Sequence, residues 1–192
     1  MFLDIKLGLV WTFLVGLFFE HALTPGWIAA GILFALLPDI DFWIEYAMRG
    51  TVGGRVMGAH RSLLHNPIPY IPVTLFVGVF FGPAWMTLFA LGVFGHFAHD
   101  LSGMGLGFRL FWPFSERWYK CFSSKDGEIH YDFKHFYCSW SPEEMKALVE
   151  SRGNDNWIKE ELRYMSEHRL SLSLKLLTVI IVIAALVAVL PL

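Results

Sequence analysis

Apolar residues fall in five blocks along the chain, and the ionisable residues between them gather at the block ends. Residues 5–19 are apolar apart from Lys6 and Thr12, and are followed by Glu20, His21 and the breakers Thr24, Pro25 and Gly26. Residues 27–37 form a second block that stops at Pro38. Pro67, Pro69 and Pro72 lead into a third over 68–81, Gly82-Pro83 turns the chain, and a fourth covers 84–97; the last two read as a helical hairpin. These four are each shorter than the roughly 20 residues of a perpendicular crossing unless their flanks extend them. Residues 170–192, rich in Leu, Val, Ile and Ala and with Lys175 placed to snorkel, are the clearest span. No small-residue cleavage site precedes Glu20, so the first block reads as a retained span and not as a signal peptide.

The stretches between the blocks differ in kind. Residues 42–66 are mixed and carry Gly50, Gly53, Gly54 and Gly58, the pattern of a loop with room for a short helix. Residues 101–167 hold most of the charge. Their first part, 108–122, alternates aromatics with Arg and Lys as segments at lipid headgroup level do. Asp126-Gly127 marks a turn, and Ser141-Pro142-Glu143-Glu144 opens a helix with a Ser cap, a proline in first position and acids at the positive helix end. That helix stops near Gly153, and another starts at Asn154 or Asp155 with Ile158, Leu162 and Met165 on one face.

Composition agrees with this layout. Of 192 residues 55% are hydrophobic and only 17% charged, and the mean hydropathy is +0.50, values of a membrane protein and not of a soluble domain. The expected fold is an all-α integral membrane protein of a single domain. It has about five transmembrane or membrane-embedded helices, over 5–23, 26–38, 68–82, 84–99 and 171–191. Residues 1–100 form a four-helix core, 101–169 a cytoplasmic helical segment, and 170–192 a C-terminal transmembrane helix. With those boundaries Lys6, Arg49, Arg55, Arg61 and every Lys or Arg from Arg109 to Lys175 fall at or beyond one membrane side. That side is therefore read as cytoplasmic, with the N-terminus inside and the C-terminus outside. Cys121 and Cys138 are expected to be free thiols in a reducing compartment. No basic arm suggests nucleic-acid binding.

The same topology brings three polar clusters to one face. They are LLPDID at 36–41, HRSLLHN at 60–66 and GHFAHD at 95–100. Ionisable groups at a membrane boundary are costly unless paired or coordinated, so a common site is the economical reading. His96 and Asp100 stand one helical turn apart on one face. Asp39 and Asp41, two apart, would point to opposite sides of a regular helix and could act together only where the backbone breaks after Pro38. The candidate metal ligands are Asp39, Asp41, His60, His65, His96 and Asp100. His99 is either a further ligand or an outer partner with a catalytic role, and Arg61 could hold a phosphate oxygen. Mixed imidazole and carboxylate donors suit zinc, with manganese or iron as alternatives, and so many donors leave room for two ions or more. His130, Asp132 and His135 read as a polar surface segment, and Glu20 and His21 fall on the other side of the bilayer.

LLPDID, HRSLLHN, GHFAHD and the WPFS that follows at 112–115 resemble the YdjM family of inner-membrane metal-dependent hydrolases over residues 30–115. The family's Pro-Asp-x-Asp, HR-x-x-x-H and H-x-x-x-D motifs fall on Asp39 and Asp41, on His60, Arg61 and His65, and on His96 and Asp100. Two positions depart from it: a Thr-His pair near the N-terminus is replaced by the later His21, and Asn66 stands where Ser is usual. The resemblance implies a bacterial-type inner membrane and a distant similarity to zinc-dependent phospholipase C and P1-type nucleases, hence polynuclear zinc and a phosphoester substrate. The expected function is hydrolysis of a phosphoester, possible lipids included, at the cytoplasmic face, with membrane lipid as partner. The alternative is a membrane scaffold with a structural His/Asp cluster. A metal transporter fits less well, since its site belongs near the bilayer midplane.

Overall fold

A computed structural model describes residues 2–57, 61, 64–102, 105–156, 158, 159 and 163. Compact units are formed by residues 1–155 and by residues 156–192, and all elements named here lie in the first. His60, the C-terminal span expected over 171–191 and most of the helix expected after Asn154 lie outside the described residues.

Helix α1 (Phe2–Phe18) is followed by α2 (Pro25–Leu36). Thr24 caps α2, its hydroxyl accepting from the Trp27 N–H at 3.2 Å, and Pro25 takes the first position, where its missing N–H costs nothing. The chain then tightens into a 3₁₀ turn (Leu37–Asp39) and continues as α3 (Ile40–Arg49), which stops at Gly50 in the left-handed conformation, φ +70°. The short helix allowed for in the mixed stretch 42–66 is α3, which occupies its first eight residues. Helices α4 (Tyr70–Phe81) and α5 (Pro83–Ser102) form the expected hairpin around Gly82.

Among the described residues, only the continuous helical run Pro25–Arg49 combines the length and apolarity of a full crossing. Helix α4, at 12 residues, is about 18 Å long against a hydrocarbon core of about 30 Å. Five full-length crossings are therefore not what the described helices supply. The all-α expectation also needs correction: the charged segment contains a two-stranded antiparallel sheet, β1 (Trp118–Cys121) and β2 (Tyr137–Trp140), with Lys120 opposite Cys138. Four-residue strands are too short for their alternation to stand out in the sequence. Helix α6 (Pro142–Arg152) closes this part, with the capping box of Ser141 and Glu144.

Small residues let the helices approach. Trp27 Nε1 donates to the Thr12 carbonyl at 3.1 Å, and a side-chain carbon at Gly8 would lie 2.6 Å from the Gly31 carbonyl oxygen, so α1 and α2 touch backbone to backbone. A side-chain carbon at Gly92 would lie 2.9 Å from Phe34 Cβ and 3.1 Å from the Ala35 nitrogen, which seats α5 directly on α2. Phe89, Val93 and Phe97 of α5 pack with Tyr70 and Phe108 in the bundle core. Phe108 also bonds Tyr119 in both directions, its N–H donating at 3.3 Å and its carbonyl accepting at 2.9 Å, which ties β1 to that end of the bundle. Helix α3 is inside-out for a water-soluble protein. Asp41 and Glu45 are buried while Ile40, Trp43 and Ile44 are exposed.

Candidate metal centre

The end of the bundle where α1 starts, α2 finishes and α5 finishes collects four carboxylates and three imidazoles. Gly92 lies one turn before His96, and the contact it permits brings His96 Nδ1 to 2.9 Å from the Ala35 carbonyl on α2. A carbonyl only accepts, so Nδ1 carries the proton and Nε2 presents its lone pair. Asp4, from the first turn of α1, reinforces this, its Oδ1 lying 3.2 Å from the same Nδ1. His65 is fully buried just before α4, with Nδ1 3.2 Å from each carboxylate oxygen of Asp41. Asp41 also accepts from the Leu64 N–H at 3.2 Å. His65 therefore holds the same tautomer as His96.

The two Nε2 atoms face each other at 3.4 Å. Asp39 Oδ1 lies 3.7 Å from both. Asp100 Oδ2 lies 3.3 Å from His65 Nε2 and 3.9 Å from His96 Nε2. Asp39 Oδ1 and the two Nε2 atoms thus come together as three lone-pair donors, with Asp100 Oδ2 beside the two imidazoles. The spacing fits a cation: a circle through Asp39 Oδ1 and the two Nε2 atoms has a radius of about 2.1 Å, as does the one that takes Asp100 Oδ2 in place of Asp39, which matches zinc–imidazole and zinc–carboxylate bonds of about 2.0–2.2 Å. Asp39, His65 and His96 form one of the clusters with metal-ligating geometry among the described residues. Burial disfavours charge on His65, while Asp100 and Asp41 beside its ring raise its pKa above the ordinary imidazole value.

The six sequence-derived ligand candidates divide into distinct places. Asp39, His65 and His96 meet in front, on the Nε2 side, and Asp100 lies against the same two Nε2 atoms while pairing with Arg61. Asp41 stands behind His65, on its Nδ1 edge, and not on that side. The 3₁₀ turn after Pro38 is the backbone break that sends Asp39 and Asp41 to opposite edges of one ring. His60 lies outside the described residues. His99 bonds Asp4, Nδ1 to Oδ1 at 3.2 Å, and stays 3.9 Å from Asp100 Oδ1. Arg61 Nη2 pairs with Asp100 Oδ2 at 3.0 Å, and Nη1 donates to the Gly107 carbonyl at 3.3 Å. Asp4 and Lys120 were missed in the sequence. Asp4 carried the usable signal, a carboxylate at the same end of an apolar block as the other clusters.

A second cluster, His130, Asp132 and His135, also has atoms close enough for a metal. Here the side chains are already engaged otherwise. Asp132 caps the 3₁₀ turn Phe133–His135, accepting from the His135 N–H and Nδ1–H at 2.9 Å each. The imidazoles of His130 and His135 stack at 4.3 Å with only 26° between planes, so their in-plane lone pairs run side by side instead of converging. His21 stacks on Trp27 at the far end of α2 from Asp39. Cys121 and Cys138 are free thiols.

Fold and site together define a mostly helical protein with an inside-out helix and a His/Asp cluster able to hold a metal at one bundle end. The family model for the YdjM inner membrane protein matches residues 5–143, and the chain belongs to that family. It is thereby an inner-membrane protein. None of the curated proteins and none of the solved structures matched the chain.

Proposed function

We propose that this protein is a membrane-bound, metal-dependent hydrolase of a phosphoester, working at the cytoplasmic face. The observation that carries the reading is the approach of Asp39, His65 and His96 to within metal-ligating distance of one another, with Asp100 against the two Nε2 atoms and both imidazole tautomers set by acceptors behind them. These four would hold the cation, zinc by donor type. Asp41 and Asp4 would keep the rings oriented and basic, as carboxylates behind metal-binding histidines do. A divalent cation so placed lowers the pKa of a bound water and offsets charge on a phosphoryl oxygen. Arg61, fixed by Asp100 and Gly107, would orient the phosphate. His99, held by Asp4 at the edge of the cluster, is positioned to carry a proton between solvent and the site.

The cytoplasmic placement rests on charge. Along the sequence, Lys6, Arg49, Arg55, Arg61 and the basic residues from Arg109 onward fall at or beyond the block ends that carry the Asp and His clusters, the distribution expected of a cytoplasmic side. In this reading α1, the run Pro25–Arg49, α4 and α5 are membrane-embedded. A lipid headgroup could then reach the site without leaving the bilayer.

Metal analysis of the purified protein beside an H96A/D100A variant tests the proposal, with hydrolysis screened on phospholipids and generic phosphodiesters. Wild type should hold at least one equivalent of zinc, the variant far less, and only wild type should hydrolyse substrate. Equal metal in both, with no hydrolysis by either, would favour the scaffold reading instead.

A further inference from the structure

The two faces of the β1–β2 sheet meet different surroundings. Trp118, Cys138 and Trp140 are buried against Met145, Leu148 and Val149 of α6, which turns Glu143, Glu144, Lys146 and Glu150 outward. By strand alternation the opposite face carries Tyr119 and Tyr137, their ring centroids 5.9 Å apart. An aromatic surface spreads from that pair. Phe111 stands edge-on to Tyr119 at 5.1 Å, and Phe122 joins Phe136 at 5.4 Å and Tyr131 at 5.9 Å. Phe111, Phe114, Tyr131, Phe133, Phe136 and Tyr137 are between 47% and 95% exposed. At about 150–250 Å² per aromatic side chain, six so exposed present roughly 600–1,000 Å² of ring surface, more than a soluble monomer ordinarily leaves uncovered in one patch.

What covers this surface follows from where it sits and what stands among the rings. Phe97 of α5 meets Phe108 at 5.3 Å, and Phe108 pairs with Tyr119, so the surface begins where an apolar helix of an inner-membrane protein ends. Basic side chains are interspersed with it. Arg117 donates to Ser139 Oγ at 3.0 Å on the Tyr119 face, and exposed Lys134 stands between Phe133 and Phe136. A cleft of about 390 Å³ opens beside Tyr137, lined by Lys125, Lys134, His135 and three serines, with Lys125 also pairing with Glu144 at 2.9 Å. The core of a protein–protein interface is depleted in lysine, whereas a headgroup layer takes aromatic rings beside Lys and Arg and offers them phosphate. We propose that this aromatic and basic surface rests in the lipid headgroup layer of the bilayer that holds the helices, with Lys134 turned to lipid phosphate. Residues 108–122 carry that pattern in the sequence; Tyr131 to Tyr137 join them only through the pairing of β1 with β2. Such docking requires an inner-membrane protein and nothing of the metal centre.

The test uses the full-length protein, one copy per nanodisc of phosphatidylethanolamine and phosphatidylglycerol, carrying a nitroxide at one position at a time. In a C121S/C138S background, F133C and F136C put the label on the aromatic surface, and E150C puts it on the outer side of α6. Collision of the label with oxygen, which concentrates in the bilayer, is compared with collision with a water-soluble nickel chelate. The oxygen-to-nickel ratio at 133 and 136 should be severalfold that at 150, and K134E should lower it at 133. A thermal melt equal to that of the C121S/C138S parent reports a folded variant, and two label positions keep the test independent of either substitution. Ratios at 133 and 136 that match the one at 150 overturn the docking surface. A label at these positions shielded from oxygen and nickel alike lies against protein, which overturns the lipid assignment too. A ratio that K134E leaves unmoved overturns the pairing of that lysine with lipid phosphate. All of these outcomes leave the metal centre standing.

Discussion

Replacing Asp41 by Asn separates a carboxylate that orients a ligand from one that binds metal. Asp41 touches His65 only at Nδ1, 3.2 Å from either oxygen, and takes the Leu64 N–H on Oδ2. An Asn amide matches the carboxylate in shape and can accept one of those two donors through its oxygen. Its NH₂ then faces the other, donor against donor. One buried N–H loses its acceptor, which costs about 1–3 kcal/mol of stability. The charge behind His65 also goes, and loss of such an outer carboxylate weakens metal binding about 10- to 100-fold, or about 1.4–2.8 kcal/mol. The assay is competition of the zinc-loaded protein with a chromophoric chelator, alongside thermal unfolding, for D41N and D39N together. Asp39 Oδ1 faces both Nε2 atoms, so D39N should lose far more affinity than D41N. If D41N loses zinc as completely as D39N, Asp41 is a ligand and the two-sided arrangement around His65 is wrong. If D41N binds zinc like wild type, the carboxylate behind the ring has no part in the site.

Three further outcomes follow from other parts of the same structure. D4N should weaken zinc binding by less than tenfold, because the Ala35 carbonyl still holds His96 Nδ1 at 2.9 Å, and the chelator competition checks it. G92A should lower the melting temperature through about 1–3 kcal/mol of overpacking against Phe34 and Ala35, and should weaken zinc binding too as α5 and His96 lift from α2. Lys120 makes stability depend on pH. Its pKa is about 8 in the fold against 10.5 ordinarily, so between those values the unfolded chain binds more protons and stability rises with pH, by up to about 3 kcal/mol. K120M should abolish that rise and melt higher than wild type at pH 7, as melting curves at pH 7.5 and 9.5 of both proteins will show.

The candidate site was legible in the sequence where cost made it so. Asp and His at the ends of apolar blocks stand out because apolar surroundings penalise them, and the structure brings Asp39, His65 and His96 of that set within metal-ligating distance of one another. Asp41 was rightly singled out but its side was not, since that depended on a 3₁₀ turn only two residues away. A short helix in 42–66 was allowed for, but its bounds were not, because the glycine-rich sequel, Gly50 to Gly54, dominates the stretch and the apolar residues of α3 face outward. Lys120 was beyond local reading altogether. Its burial comes from β1 pairing with β2 and hooking onto Phe108, contacts that no periodicity in 108–122 announces.

A structural polar cluster and a cation site make opposite demands on how charges are distributed. In a structural cluster each carboxylate is best matched with its own cation. Here Asp4 and Asp41 are set behind the imidazoles, where they fix the rings, while Asp39 and Asp100 stand in front with the two Nε2 lone pairs. Among the described residues Arg61 pairs with Asp100, while the N-terminal amine, His96 and His99 face Asp4. Tautomer and spacing are separate quantities, set by Ala35 and Asp41 and by the Gly92 contact, and both suit a small divalent cation. The location argues against transport, because the cluster sits where α1 begins and α5 ends, at the bundle's end and not at its middle. A cation at such a place would meet a ligand arriving at that end of the bundle, so hydrolysis measured beside metal content separates a hydrolase from a scaffold more sharply than metal content alone.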